Sequence, residues 1–319
     1  MPQKEYGGYI EFERQTGTEY HKEAIALNCG RNCLAYLIEA RGIKKIYLPY
    51  FLCASVGDIC RKYNVEIQYY HIDSKFRPIF DIDIHKKEYI YIVNYYGQIS
   101  VNEIKKWEKK YPNLILDFAQ SFFQKPIENS DTLYSCRKYF GVSDGAYLYT
   151  KSQIDRNIEL DFSYDRMRFL MGRYEKTANE FYREYVENNR RFREVPILQM
   201  SKLTHNLLNG ICYEKVKKRR TENFKILNEA LGVYNRLKLD EPEGAFMYPL
   251  FIKNGAEIRK ELQSKNIYIP TLWPDVFKVC QKSELEYDMA ENILPLPVDQ
   301  RYDKDDMEIL SKVVSECIV

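Results

Sequence analysis

An apolar run, Leu114-Ile115-Leu116, ends on a carboxylate at Asp117. A buried strand that stops on an acid presents it at the C-terminal end of a sheet, where ligands bind in open α/β folds. Gln120 follows three residues later. About twenty residues beyond Asp117, a second strand-like run, Thr132-Leu133-Tyr134, leads into Ser135-Cys136-Arg137-Lys138. A lysine there could reach the same crevice. One acid and one amine in a crevice suit a cofactor that needs a Schiff base and a counter-charge, as pyridoxal 5'-phosphate (PLP) does. At about 3 Å and an effective dielectric near 20, an aspartate beside a protonated pyridine is worth on the order of 5 kcal/mol before desolvation. Taken singly, Asp117 is equally a turn-capping or Mg²⁺-binding strand end, and a surface position in a loop is the usual fate of a lysine such as Lys138.

These residues need elements to hold them. Ala24 to Asn28 is a short apolar run ending in Cys29-Gly30-Arg31-Asn32, after which Leu34, Leu37 and Ile38 share a helical face. A strand, a glycine turn and a helix start leave N–H groups that could hold a phosphate, although any doubly wound sheet contains such turns. Lys45 to Pro49, Val65 to Tyr70 and Tyr89 to Asn94 predict strands, and Ser55 to Tyr63 predicts a helix. Ser100-Val101-Asn102-Glu103 is a capping box, opening a helix whose stripe is Val101, Ile104, Trp107 and Tyr111. The alternation up to Asp117 predicts a mostly parallel sheet covered on both faces.

Beyond Thr150 the texture changes. Residues 151–195 are charged and nearly free of Gly and Pro, with Tyr174, Ala178, Phe181 and Tyr185 at helical spacing. They predict an exposed amphipathic helix. Residues 213–231 predict a long helix with a solvated Lys/Arg face. The remainder reads as a small α+β unit, with strands at Phe246 to Ile252, Ile267 to Ile269 and Ile293 to Leu296 and helices at Ala256 to Lys265 and Asp303 to Glu316. Arg259, Trp273 and Arg301 are lone residues there, more readily structural than substrate contacts.

Asp117-Phe118-Ala119-Gln120 resembles the Asp-x-Ala-Gln signature of DegT/StrS-type nucleotide-sugar aminotransferases, a branch of the fold-type-I PLP enzymes. Ser135 to Lys138 and Asp144-Gly145-Ala146 resemble that family's serine, Schiff-base lysine and acidic-Gly-Gly segment. The family has two more residues between serine and lysine, and Glu-Gly-Gly in the later position. Gly30-Arg31-Asn32-Cys33-Leu34 resembles its Gly-Thr-x-Ala-Leu phosphate loop, with Arg31 in place of threonine.

The resemblance implies an α/β fold of PLP-dependent transferase type I, with a large mostly parallel-sheet domain at 1–205 and a small C-terminal α+β domain at 206–319. It implies PLP held as a Schiff base on Lys138, Asp117 on the pyridine nitrogen and Gln120 on the phenolic oxygen. Gly30, Arg31, Asn32 and Ser135 would hold the phosphate, and Tyr50 or Phe51 would stack on the ring. It further implies a homodimer that shares residues across its interface, here around Arg166 to Arg173. The implied reaction moves an amino group, from glutamate, to a nucleotide-linked keto sugar in surface-polysaccharide or related amino-sugar biosynthesis. Two rivals are a PLP enzyme on another carbonyl substrate and a non-catalytic PLP-fold sensor.

Bulk composition excludes other classes. The 319 residues are 45% hydrophobic and 29% charged with a formal net charge of +2, so no strong field argues for nucleic acid. The eight cysteines form no C-x-x-C pair and histidines number four, which leaves a metal site poorly supported. Cysteines within apolar runs read as reduced core residues. No stretch reaches the roughly 18 apolar residues of a membrane span, so the expectation is a soluble cytoplasmic protein.

Overall fold

The computed structural model describes residues 6–80, 84–111 and 113–318; residues 1–5 of the arm expected over 1–20 lie outside the described residues. The first part of the chain supplies β1 (Ile25–Leu27), α1 (Gly30–Arg41), β2 (Lys45–Pro49), α2 (Ala54–Lys62), β3 (Glu66–Ile72), β4 (Pro78–Ile79), β5 (Tyr89–Val93), α3 (Val101–Lys110), β6 (Leu114–Asp117), β7 (Asp131–Ser135) and β8 (Ala146–Tyr149). These strands form one sheet in the order β1-β8-β7-β6-β5-β2-β3-β4.

β7, β6, β5, β2 and β3 are mutually parallel, as expected. β8 lies antiparallel between β7 and β1, and β4 is antiparallel on β3. The reversal at β8 has a simple cause. Only Cys136 to Gly145 separates it from β7, too short for a crossover helix to bring the chain back parallel. The chain moves outward from β2 to β4 on one side and from β5 to β8 on the other. Strand order therefore reverses between β5 and β2, and the C-terminal strand ends there frame a crevice. The edge of β1 is itself covered, because Leu198 O accepts from Asn28 N and Met200 N donates to Ala26 O.

The expected capping box is present: Glu103 N donates to Ser100 Oγ, and Ser100 N to Glu103 Oε2. It satisfies two of the donors a helix start leaves open. Ile104 is fully buried on the expected stripe, whereas Val101 stays exposed.

After β8 come α4 (Arg168–Glu175), α5 (Tyr182–Arg191), α6 (Lys202–Asn209), α7 (Tyr213–Leu231), β9 (Met247–Phe251), α8 (Gly255–Ser264), α9 (Val276–Val279), α10 (Leu285–Asn292), β10 (Ile293–Pro297) and α11 (Lys304–Ile318). The single helix expected within 151–195 is instead two. The break falls at Lys176-Thr177-Ala178, where the Thr177 hydroxyl bonds Glu180 and starts a new turn. Ile267 to Ile269, expected as a strand, is irregular. It follows the left-handed Asn266, and the second sheet contains only β9 and β10.

Two hydrophobic clusters result, and α7 joins them. Tyr213 and Val216 pack into the cluster around the large sheet, while Phe224, Leu227 and Leu231 pack against β9, β10 and α11. The segment between α7 and β9 returns across the large sheet. Gln98 and Asp240 exchange two hydrogen bonds, of 2.8 and 3.0 Å, and Pro242 lies against the left-handed Gly97. Among the described residues no helix is long and apolar enough to cross a membrane.

Candidate active site

Asp117 closes β6 and is buried. Its Oδ1 accepts from Ala119 N and its Oδ2 from Tyr91 Oη, each at 2.8 Å. Burial first, and then the Asp117 charge, hold the Tyr91 phenol well above its ordinary range, so Tyr91 remains a donor. Two donors fix the carboxylate plane and leave lone pairs on both oxygens for a further partner. Nothing local in the sequence pointed to Tyr91, which comes from β5.

Lys138 ends the short turn that follows β7. Burial pushes its amine below the ordinary lysine range, and the charges of Asp117 and Cys53 oppose that shift. The side chain nevertheless meets solvent, although its neighbours Cys136 and Tyr139 are buried. The amine thus stands in a cleft whose walls crowd it without sealing it. One wall is Phe246, with Lys138 Nζ 5.3 Å from its ring centre. The sequence-predicted amine thus lies within reach of the charge of the sequence-predicted acid.

Gln120 is buried and uses Oε1 to accept from Tyr96 N at 2.8 Å, while its amide hydrogens have no partner among the described residues. Ser135 is half-buried at the end of β7, and its hydroxyl likewise has no protein partner. Gly30 starts α1, a twelve-residue helix whose N-cap, Cys29, supplies no side-chain bond. Its first-turn N–H groups and helix dipole favour an anion.

Arg31 and Arg137 both lie close enough to Cys29 to draw its thiol's pKa downward against burial, and both reach Asn189. Neither pairs with a carboxylate among the described residues. Their mutual repulsion adds to the burial that lowers the Arg137 pKa. Two guanidiniums without acids beside a helix N-terminus are suited to a phosphate.

Asn32 differs from its neighbours. Its side-chain amide donates to Asn28 Oδ1 at 2.9 Å and Pro196 O at 2.6 Å, and its main-chain N–H to Cys29 O. It holds the turn to the 196 segment. Tyr50 stacks on Tyr69 at 5.1 Å and meets His71, and Phe51 is buried 4.4 Å from Trp273. Each ring is thus packed against other aromatics. Cys53, in the same segment and exposed at the start of α2, lies close enough to influence the Lys138 amine. Cys212 is exposed as well, against the expectation of core cysteines; the other six are buried or partly so, and all eight are free.

Asp144 is fully buried, accepting from Ser201 N and Oγ at 2.8 Å and from Thr204 Oγ1. Ser201 is the N-cap of α6, its hydroxyl accepting from Thr204 N, so Asp144 ties the return of the Lys138 loop to the start of that helix. Gly145 follows at φ +115°, where a Cβ would lie 3.0 Å from Thr204. Only glycine suits that position. Arg259 donates to Glu291 O and Ile293 O, and Arg301 to Asp299, so both serve structure.

No family model matches the chain, and no curated protein matches it. Solved structures do. Sugar aminotransferase CalS13 from Micromonospora echinospora aligns at 12% identity and TM-score 0.63, covering 92% of this chain and 87% of that one. A DegT DnrJ EryC1 StrS aminotransferase from Brucella abortus aligns at 16% identity and TM-score 0.60, covering 92% and 86%. NtdA from Bacillus subtilis, solved with bound cofactor PMP, aligns at 13% identity and TM-score 0.61, covering 92% and 73%. The chain shares the fold of these aminotransferase structures.

Proposed function

We propose that this protein is a PLP-dependent aminotransferase that moves an amino group, from glutamate, to a keto sugar carried on a nucleotide, in surface-polysaccharide or related amino-sugar biosynthesis. The observation that carries the reading is the Lys138 amine, 5.3 Å from the Phe246 ring and within reach of the charge of the pinned Asp117 carboxylate. The residues present fit the cofactor: an anion for the pyridine, an amine for the aldehyde, and an arginine-flanked helix start for the phosphate. Likeness to the sugar aminotransferases CalS13 and PseC, the latter described as involved in the biosynthesis of pseudoaminic acid, supports the sugar class.

Bound PLP supplies an electron sink for the charge that develops when the substrate loses its α-proton. Asp117 holds the pyridine proton in place, oriented by Tyr91 and the Ala119 N–H. Gln120 donates through its free amide. Gly30, Arg31 and Ser135 bind the phosphate, Arg137 adds charge, and Asn32 keeps the turn in shape. Lys138, lowered by burial, takes the α-proton at its Nζ and returns one on the other side of the reaction. Tyr50 and Phe51 support the crevice floor through Tyr69 and Trp273.

A second copy of the chain is the proposed partner. Exposed apolar side chains are prominent at Phe162, Tyr164, Met171, Tyr174, Tyr182, Tyr185 and Val186. Such a patch on a soluble chain marks an interface.

The test separates the two half-reactions. Borohydride should fix PLP to the peptide containing Lys138, and Lys138→Ala should lower turnover by about 10⁴-fold or more. Glutamate alone should convert the bound cofactor to pyridoxamine phosphate, and a nucleotide-linked keto sugar should restore it. Label on another lysine rejects the assignment of Lys138. If no amino acid or amino sugar yields pyridoxamine phosphate, a binding role on the same fold is the better account.

A further inference from the structure

Arg220, on α7, is among the largest fully buried side chains of the protein. Burying a guanidinium is costly unless its charge and its donors are met. No carboxylate lies within salt-bridge reach of it among the described residues. Asp299, which feels its charge, is held instead by a two-bond fork from Arg301 at 2.6 and 2.9 Å.

The donors of Arg220 go to dipoles. Nη1 donates to Ala245 O at 3.0 Å and Phe246 O at 3.3 Å, Nη2 to Tyr139 O at 3.2 Å, and Nε to Gln300 Oε1 at 2.8 Å. Gln300 Nε2 also donates to Tyr139 O, at 2.8 Å, and the guanidinium lies 4.5 Å over the Tyr139 ring. Two backbone segments are thereby clamped. One is the residue directly after Lys138. The other carries Phe246, whose ring stands 5.3 Å from Lys138 Nζ.

We infer that Arg220 is the positioning residue of the Lys138 amine: its planar fork holds the Lys138 turn and the Phe246 segment at one separation, and so sets how enclosed the amine is. The inference rests on Lys138 being the working amine of the proposed function. Arginine suits the task because a rigid fork can bridge two backbones, whereas lysine offers a single point of charge.

The direction of the effect follows from the groups present. Lys138 faces Asp117 from β6, Cys53 from the start of α2, and the Phe246 ring. Arg220 faces Tyr139, Asp299 and Arg301. Burial is the largest influence on Lys138 and depresses its proton affinity. A loosened clamp admits water and raises the midpoint toward the ordinary lysine range. Retreat of Phe246, which removes the attraction of a ring face for the cation, acts in the opposite sense, but burial is the larger influence on Lys138.

The experiment is competitive acetylation of the cofactor-free protein with acetic anhydride, from neutral to alkaline pH, with Lys138 read by mass spectrometry. Wild-type Lys138 should titrate below the other lysines. In Arg220→Lys, which keeps the charge and loses the fork, the Lys138 midpoint should rise. Its label at about pH 8 should fall by roughly threefold or more relative to wild type, because the free-amine fraction changes tenfold per unit of pKa. Gln300→Leu, at a half-buried position, should shift the midpoint in the same direction by less. Circular dichroism and the melting temperature report folding, and a merely structural role would move those without moving the midpoint.

A folded Arg220→Lys chain with the wild-type midpoint overturns the inference. If Arg220→Lys does not fold, an unshifted Gln300→Leu does so instead. A wild-type Lys138 that titrates like a surface lysine overturns it too. Because the labelling needs no cofactor, its failure is distinct from a failure of PLP to be fixed at Lys138.

Discussion

The crevice at the ends of β6 and β7 and the outer stretch from Phe162 to Arg191 are both rich in arginine and tyrosine, yet water is distributed in them in opposite ways. In the crevice polar groups lie among protein. Asp117 is 9% exposed, Tyr91 2% and Gln120 2%, and each has a named partner. In the outer stretch apolar rings lie in water: Phe162 is 65% exposed, Tyr174 93% and Tyr182 64%. Each region departs from the usual partition of residues between core and surface. The first departure alters protonation and orients donors, as the proposed chemistry requires. The second leaves apolar area uncovered, as the proposed association requires. Residue type does not separate the two; burial does.

The largest expected effect tests the first region. Asp117→Asn keeps the shape and removes the charge, and turnover should fall by about 10³-fold while PLP affinity changes much less. Near-wild-type turnover in a folded variant would remove Asp117 from the chemistry and erase the contrast.

The next prediction asks whether burial among these rings also governs stability. His21 is 3% exposed, 4.0 Å from the Tyr134 ring centre, with Nε2 2.8 Å from Phe122 O. A carbonyl only accepts, so Nε2 carries the proton and Nδ1 can accept from Tyr149 Oη. Burial, only partly offset by the bond to Phe122 O, lowers its pKa to about 4. The unfolded chain binds a proton near pH 6.5 and the folded chain does not until about pH 4. The stabilisation is therefore complete above about pH 6.5 and is lost as pH falls toward 4, a change of order 3 kcal/mol. Urea unfolding of His21→Gln should show a flatter acid limb across that window. An unchanged limb would mean that His21 is hydrated in solution.

The smallest effect belongs to the outer stretch. Tyr174→Glu combined with Tyr182→Glu should weaken self-association by roughly tenfold or more, read by light scattering, with little change in monomer stability. A wild-type monomer at micromolar concentration would break the comparison on that side.

Local pattern made much of the crevice legible. β2 runs over the expected residues, β6 ends on Asp117, Ser100 and Glu103 form their box, and α7 spans Tyr213 to Leu231 as read from its charged repeat. These are properties of short windows, in which side-chain period and capping act within one element. What escaped is long-range. Tyr91 meets Asp117 across 26 residues, Arg220 meets Tyr139 across 81, and Phe246 meets Lys138 from the far side of α7. No spacing rule encodes such meetings. The segment from Tyr50 to Cys53 shows the limit at single-residue scale. An aromatic was expected there; Tyr50 stacks on Tyr69, Phe51 packs on Trp273, and Cys53 of the same segment also influences the Lys138 amine. The break at Lys176 to Ala178 escaped for the opposite reason, since a continuous periodicity hid a local turn.

The two ends of the large sheet carry a further consequence. Strand edges are templates on which another chain can polymerise. At one end β4 is two residues long and begins with Pro78, which has no N–H to offer. At the other, the 198–200 segment already pairs with β1 through Asn28 and Met200. Neither border can readily accept an incoming strand. Growth of a ribbon by strand addition at either border of the large sheet is thereby disfavoured.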